Sequence, residues 1–404
     1  MENITRRYEK NRILIAFILG VLAGMPPLCT DLYLPAFVEI AADLNAEPSV
    51  VQGSLASCFF GMAGGQMLFG PLSDMKGRRV LLLLSLVFFV ISSFLCALAP
   101  SAEVLVGVRF LQGFCGAGGV VLSRAIACDL YSGSELTKFF ALLMLINGVV
   151  PILGPLVGGQ LLRVMNWQGI FVVLGMAGLL LAIAVLLALG ETLPKEKRTQ
   201  GSLGHTKELL KSLWQNKVFF SYVWMQASVM AGFFGYIAAS PFVFQELYGL
   251  SAEEYGLVFG VNGLGIMLFS QAAGRLSARF GDRRLLKWGL WLMTAAAIMT
   301  FVGALLHVKD VVLMMIPIFF LVASGGITMT TSFSLAIGAQ SGSAGSASGI
   351  LGVAGFLAGA VVSPLVGLGG TMTAVPMGII MVIGAVCALM LYHHTGKGKK
   401  ERTE

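Results

Sequence analysis

The chain is 404 residues long, with 57% hydrophobic and only 12% charged residues. Soluble domains carry about 25% charged residues, so this composition excludes a soluble globular protein and points to one embedded in lipid. The net charge of +7 does not indicate a nucleic-acid partner, because the basic residues gather in the breaks between apolar stretches.

A spanning helix needs roughly 20 consecutive apolar residues. Twelve such runs are expected, at about 13–36, 48–70, 79–99, 103–127, 138–161, 168–190, 218–244, 253–274, 285–306, 311–336, 345–366 and 371–393. The expected fold class is therefore an all-α membrane protein with twelve transmembrane helices in two six-helix halves. The first half covers 1–190 and the second 218–393, joined by a linker over 191–217 and followed by a tail over 394–404. The linker opens ETLPKEKRTQGS and is expected to hold a short surface helix near Lys207 to Trp214.

With the N-terminus placed in the cytoplasm, alternate loops and both ends hold 23 of the 27 basic residues. The opposite loops keep only Arg163 and Lys309 and carry acids such as Glu39, Asp43, Glu47 and Glu253. Basic loops favour the cytoplasmic side, so both termini are expected there. Arg109 and Arg124 remain, both inside the fourth run.

In chain order, the first residue of interest is Asp31, the only acid in the first run. About 18 residues of helix at ~1.5 Å each put it ~27 Å from the run's start, towards the outer side. An acid inside a membrane costs ~2.5–3.5 kcal/mol on insertion scales, which makes it a functional candidate. A low-dielectric surrounding favours the uncharged carboxyl, so Asp31 is read as a proton-coupling site. The alternative is an outer helix end in water, marked by Pro35. Tyr33 is a nearby candidate for the substrate cavity.

Residues 70–79, GPLSDMKGRR, lie between the second and third runs, and GRLSARFGDRR repeats the pattern 204 residues later. A two-fold repeat on that scale marks a transporter of two similar halves. Gly70 and Gly77 permit a tight turn, and Pro71 is expected to stop the helix. Asp74, with Arg78 and Arg79 beside it, is read as a conformational latch reaching a helix end or a base across the cytoplasmic gap. The copy has Ala278 in place of Asp74. The alternative is a solvated loop that only sets topology.

Arg109 needs a partner within the fourth run, because a guanidinium keeps its charge. Asp31, Gln112, a backbone carbonyl or substrate are the candidates, and a structural tie between helices one and four is the alternative role. Gln112 shares its helix face at i+3. Arg124 and Asp129 are expected to form an ion-pair latch at the exit of the same run. In the fifth run, Gly148, Gly154, Gly158 and Gly159 clear side chains from one side of a helix. Gly154 and Gly158 have the spacing of a close contact face, and Pro151 and Pro155 add kinks. Contact with the other half through this face would seal and pivot the molecule. The seventh run offers a mixed aromatic, thioether and polar wall, with Trp224, Gln226, Phe233 and Tyr236 as cavity candidates, alongside Asn147. The six cysteines are read as small buried hydrophobes.

The segment at 70–79 resembles the loop between helices two and three of the major facilitator superfamily. Residues 148–159, GVVPILGPLVGG, are similar to the helix-five motif of its drug/proton antiporters. TDLYLP at 30–35, RFLQG at 109–113, RAIACD at 124–129, ETLP at 191–194 and AGSAS at 344–348 extend the resemblance to the Bcr/CflA group of bicyclomycin and chloramphenicol resistance exporters. The resemblance covers nearly the whole chain. It implies the pseudo-symmetric major facilitator fold, proton-driven export of small hydrophobic molecules, and a role for Arg109 in tuning the carboxylate. The implied setting is a bacterial plasma membrane, with a monomer, a small-molecule drug or metabolite as partner, and the proton gradient in place of any cofactor. No HExxH, GxSxG or P-loop is present, so no enzyme is expected.

Overall fold

The computed structural model describes residues 12–131, 136, 149–198, 216–339, 344–370 and 373–400. Asn147, Gly148 and the linker helix expected near Lys207 lie outside the described residues.

Each apolar run appears as helix. The first run is three pieces, α1 (Arg12–Ala23), α2 (Met25–Asp31) and α3 (Phe37–Asp43). Then follow α4 (Pro48–Lys76), α5 (Arg78–Ala97), α6 (Ala102–Leu130), α7 (Val149–Leu161) and α8 (Trp167–Ala188). The second half comprises α9 (Lys217–Phe242), α10 (Ala252–Phe280), α11 (Asp282–Leu305), α12 (Val311–Gly338), α13 (Ala344–Gly367) and α14 (Val375–Lys400). Among the described residues, ten helices are long and apolar enough to cross a membrane, and the broken first run adds another. α7 is the described part of the fifth run. The helix starts are legible locally. Ser101, Asn216 and Asp310 each accept a hydrogen bond from a backbone N–H of the turn they cap, and Ser251 with Glu254 forms a capping box.

Two boundaries differ from expectation. The first run is not one helix to residue 36. It bends by 46° at Gly24, before Pro26 and Pro27, breaks again after Asp31, and continues to Asp43. α3 is held down by Glu39 and Asp43, which accept from the Trp167 backbone N–H (3.1 Å) and indole N–H (2.8 Å) at the start of α8. Nor does Pro71 stop α4, which passes through Gly70 and Pro71 to Lys76. The turn is made by Gly77 alone, at φ +101°, a value that favours glycine. Its counterpart Gly281, at φ +77°, turns α10 into α11 in the same way. The pair Gly77/Gly281 therefore carries the repeat's geometry, and Gly70/Gly274 does not.

The exterior is apolar, with Phe17, Leu180, Leu187 and Met299 more than half exposed, while Ser, Thr, Gln and Arg side chains are buried within. This is the inversion expected where the solvent is lipid. Small residues let backbones meet. A Cβ at Gly113 of α6 would strike the Cys58 carbonyl of α4, and one at Gly65 of α4 would strike the Phe114 carbonyl of α6. The halves meet along α4 with α13 and along α7 with α10. Hydrogen bonds between the halves hold the side away from the termini. Gln52 Nε2 donates to Ala238 O (3.0 Å), Gln245 Nε2 to Pro35 O (3.1 Å), and Gln160 Nε2 to Glu253 Oε1 (2.7 Å), which also pairs with Arg163 (3.3 Å). The molecule is thus sealed at the face opposite its termini.

The helix-five glycines divide their work. Gly154 and Gly158 face Asp31 and Leu32 of the first run, within their own half. The other half is met one step further round α7, where Ile152, Pro155 and Gly159 lie against Gly263, Gly256 and Ala252 of the α10 side. The expected assignment of Gly154 and Gly158 to the inter-half seal is corrected by that ~100° step between adjacent residues.

Substitution of Gly113 by valine should lower stability by about 1–3 kcal/mol, since backbone lies where its Cβ must go. Gly107→Ala, with open space at that position, should change the unfolding midpoint little. Thermal unfolding of the purified protein in detergent compares the two.

Candidate functional site

Arg109 of α6 is fully buried. Its Nη1 donates to Cys29 Sγ (3.1 Å) and, in a short bond, to Gln112 Oε1; its Nη2 donates to Cys29 O (3.2 Å). The Cys29 carbonyl is available because it lies in the last turn of α2, where carbonyls lack helical partners. The guanidinium sits 4.2 Å from the centre of the Tyr33 ring and 5.7 Å from that of Phe171, a cation–π arrangement. Gln112 passes the network on, donating to Ser93 Oγ at 2.8 Å. Tyr33 and Ser54 share a hydrogen bond of 3.2 Å. Five elements of the first half therefore converge on one charge. Among the described residues no carboxylate lies within ion-pair distance of it, and Nε has no partner.

Asp31 closes α2 and is 5% exposed. It is not an outer helix end in water, because residues 32–37 continue past it and are buried. Thr30 Oγ1 donates to its Oδ1 at 2.8 Å. It does not pair with Arg109. Its Cβ lies 3.1 Å from where a Cβ on Gly154 would sit, and the segment just after it, Leu34–Ala36, packs against α9 and α10 of the second half, which carry the Tyr236 and Tyr255 hydroxyls. Those hydroxyls belong to a polar cluster: Asn262 Nδ2 donates to Tyr236 Oη (2.7 Å), and Ser240 shares a bond with Tyr255 (3.0 Å). Asp31 thus sits at the junction of the halves.

The cavity candidates fall into separate hydrogen-bonding groups. Tyr33 and Gln112 belong to the Arg109 network. Gln226 bonds Ser332, Tyr236 bonds Asn262, and Phe233 lies half-buried against Phe234. Trp224 is 59% exposed, on a helix whose neighbouring residues Met225 and Gln226 are buried.

At the face bearing the termini, Arg78 is the centre of a second network. It pairs with Asp74 (2.5 Å) and Asp129 (3.1 Å) and donates to Ser73 Oγ (2.5 Å). The expected pair of Asp129 with Arg124 is not made; Asp129 takes Arg78 and Thr192 instead. Asp74 does not cross to the other half in this conformation but pairs one helical turn away. Arg79 Nη2 donates to Leu186 O at 2.8 Å. The residue sequence reasoning missed is Glu191. Its Oε1 accepts from the Arg78 backbone N–H (2.9 Å), satisfying the start of α5, and its Oε2 pairs with Arg198 (3.5 Å). An acid directly after an apolar run was the available signal. Cys29 was missed too, since sulfur in an apolar run reads as core.

A family model, the Major Facilitator Superfamily, matches residues 13–364. The chain belongs to the major facilitator superfamily. It is 41% identical over 385 residues to the uncharacterized MFS-type transporter YdgK of Bacillus subtilis (strain 168), covering 95% of each chain. It is 29% identical to the bicyclomycin resistance protein homolog of Haemophilus influenzae (98% of this chain, 99% of that one) and 28% identical to a chloramphenicol resistance protein of Pseudomonas aeruginosa (83% and 78%). These relatives bear out the resemblance read in the motifs. Its fold matches the D-xylose-proton symporter, with TM-score 0.75, 18% identity and coverage of 96% and 97%. An inward-facing bacterial homolog of the lysosomal transporter Spinster gives 0.76 at 14% identity, again over 96% and 97%. The protein is a multi-pass membrane transporter of twelve-helix fold and not an enzyme.

Loss of Arg78 leaves Asp74 and Asp129 without their cation. Arg78→Ala should cost on the order of 3 kcal/mol, and Arg78→Lys should recover only part, since an ammonium cannot fork to three acceptors. Arg124→Ala should cost less than either. Unfolding midpoints in detergent test the ranking.

Proposed function

We propose that this transporter is a proton-coupled exporter of small hydrophobic drugs of the bicyclomycin and chloramphenicol type, working by alternating access. The observation that carries the reading is Asp31: a buried carboxyl at the junction of the halves, with no cation partner among the described residues. Such a group can gain and lose a proton without breaking an ion pair, so proton occupancy can bias which face is open. Arg109, one helical segment away, holds the end of α2 that presents it. The names of the resistance relatives support drugs as cargo.

The protein resides as a monomer in a bacterial plasma membrane with both termini cytoplasmic, on the strength of its basic loops. The sealed face is then the outer one, and the conformation is open inward. The proposed units are a first half over 1–190, a linker over 191–217, a second half over 218–393 and a tail; α14 continues to Lys400. The Arg78 network with Asp74 is the latch, exchanging its partners when the inner face closes. Energy comes from the proton gradient without a cofactor. About 100 mV supplies ~2.3 kcal/mol per charge and one pH unit ~1.4 kcal/mol. Together these hold a neutral solute gradient of several hundredfold.

A second reading is an endogenous metabolite as cargo. The hydrogen-bonding pairs Tyr236–Asn262, Ser240–Tyr255 and Gln226–Ser332 favour it, because they offer directional contacts to a polar solute.

In proteoliposomes with an imposed proton gradient, Asp31→Asn should abolish uphill accumulation of chloramphenicol while leaving downhill equilibration. Uphill accumulation by Asp31→Asn would remove Asp31 as the coupling site. If the wild type neither moves these drugs nor raises resistance on expression, the metabolite reading stands.

A further inference from the structure

The two copies of the repeated turn treat their charges oppositely. At Gly77 the arginines are answered by the protein, Arg78 by Asp74 and Asp129, Arg79 by the Leu186 carbonyl and Arg198 by Glu191, and only Lys76 stands exposed without an ion pair among the described residues. At Gly281 the position equivalent to Arg78 is Asp282. Asp282 accepts from two serines, Ser277 in a short bond and Ser334 at 2.6 Å, and so neutralises no base. Around it stand Arg275, Arg279, Arg283, Arg284 and Lys287. Among the described residues none of these five has an ion pair. Arg283 turns inward over the Tyr392 ring (5.9 Å), and the other four are exposed.

The exposed cations are arranged with aromatic rings. Arg284, Lys287, Trp288 and Trp291 fall at i, i+3, i+4 and i+7 on α11, one stripe of a helix. All four are exposed, Trp288 by 49% and Trp291 by 51%. Arg279 of α10 joins the stripe through Phe280, whose ring lies 5.3 Å from the Arg279 guanidinium and meets Trp288 edge-on at 5.3 Å. Trp288, exposed within two turns of the start of α11, suits the headgroup level of a bilayer. Guanidinium groups present paired donors that match phosphate oxygens.

We propose that the turn at Gly281 is a binding site for the phosphate headgroup of an anionic phospholipid, held by Arg279, Arg284 and Lys287 with Trp288 alongside. The lipid supplies the negative charge that Asp129, Asp74 and Glu191 supply at the first turn. Each base near such a surface contributes about 1 kcal/mol, roughly a fivefold change in affinity per residue. The site does not depend on cargo or on proton coupling.

The test uses the full-length transporter in nanodiscs of phosphatidylcholine, with and without phosphatidylglycerol, reading thermal unfolding and lipid retained in native mass spectrometry. Phosphatidylglycerol should raise the wild-type midpoint, and the gain should shrink as salt is added. The triple variant Arg279→Gln, Arg284→Gln, Lys287→Gln should lose that gain and bind phosphatidylglycerol at least tenfold more weakly. Lys309→Gln, on the opposite face, should keep both. If the triple variant cannot be purified, Arg279→Gln and Arg284→Gln alone should each lose part of the gain. Equal phosphatidylglycerol binding by wild type and variants overturns the proposal. So does an equal stabilisation of the wild type by inorganic phosphate at matched ionic strength, which would mark a free-anion site.

Discussion

A permanent positive charge sits at the centre of the first half, in a bundle surrounded by lipid. A guanidinium cannot shed its proton, and an unpaired charge in such a place is costly. Arg109 is satisfied piecemeal: a thiol and a carbonyl from Cys29, an amide from Gln112 and the face of Tyr33. Each answer constrains the backbone that supplies it. The carbonyl requires α2 to end there, and the ring requires the chain to fold back immediately afterwards. Asp31 lies between these two contacts. Its depth and orientation therefore follow from how the arginine is satisfied, though the two charges do not touch.

The helices were readable from apolar run length, and some of their starts from the capping residues Ser101, Asn216, Ser251 and Asp310. What run length cannot show is continuity. Gly24 with Pro26 and Pro27 bends one run, whereas Pro71 leaves another unbroken. The difference lies in tertiary support: α4 is flanked by α6 and α13 over its length, and the first run must bend to reach α8. Asp31 and Arg109 were identifiable as charges out of place. Their partners were not, because Cys29 and Ser93 look like filler in an apolar sequence. Pairing failed at Asp129 for a related reason. Arg124 is nearer in sequence, but a turn of helix points it elsewhere, and Arg78 arrives from another element. Trp224 shows a further limit, since composition does not say which face of a helix is packed and which is exposed.

The internal repeat is more faithful in backbone than in chemistry. Gly77 and Gly281 make the same turn, yet the next residue is a base in one half and an acid in the other. A pseudo-two-fold fold thus carries an asymmetric charge pattern. In its first half the arginine after the turn glycine is held by two aspartates. In its second, Arg279, Arg284 and Lys287 are exposed with no ion pair among the described residues.

The docking of Glu191 changes how the connection between the halves should be measured. The ends of the Glu191 and Arg198 side chains lie directly against position 77, so the linker is seated on the turn. Through Arg198 the linker is part of the first half. The covalent tether begins after it and ends at Lys217, where α9 starts. At ~3.3–3.6 Å per residue, its stretch of about 18 residues can reach no more than roughly 65 Å. Rocking of the halves is therefore limited by a leash shorter than the polar segment suggests, and one fastened beside the network that would have to rearrange when the inner face closes.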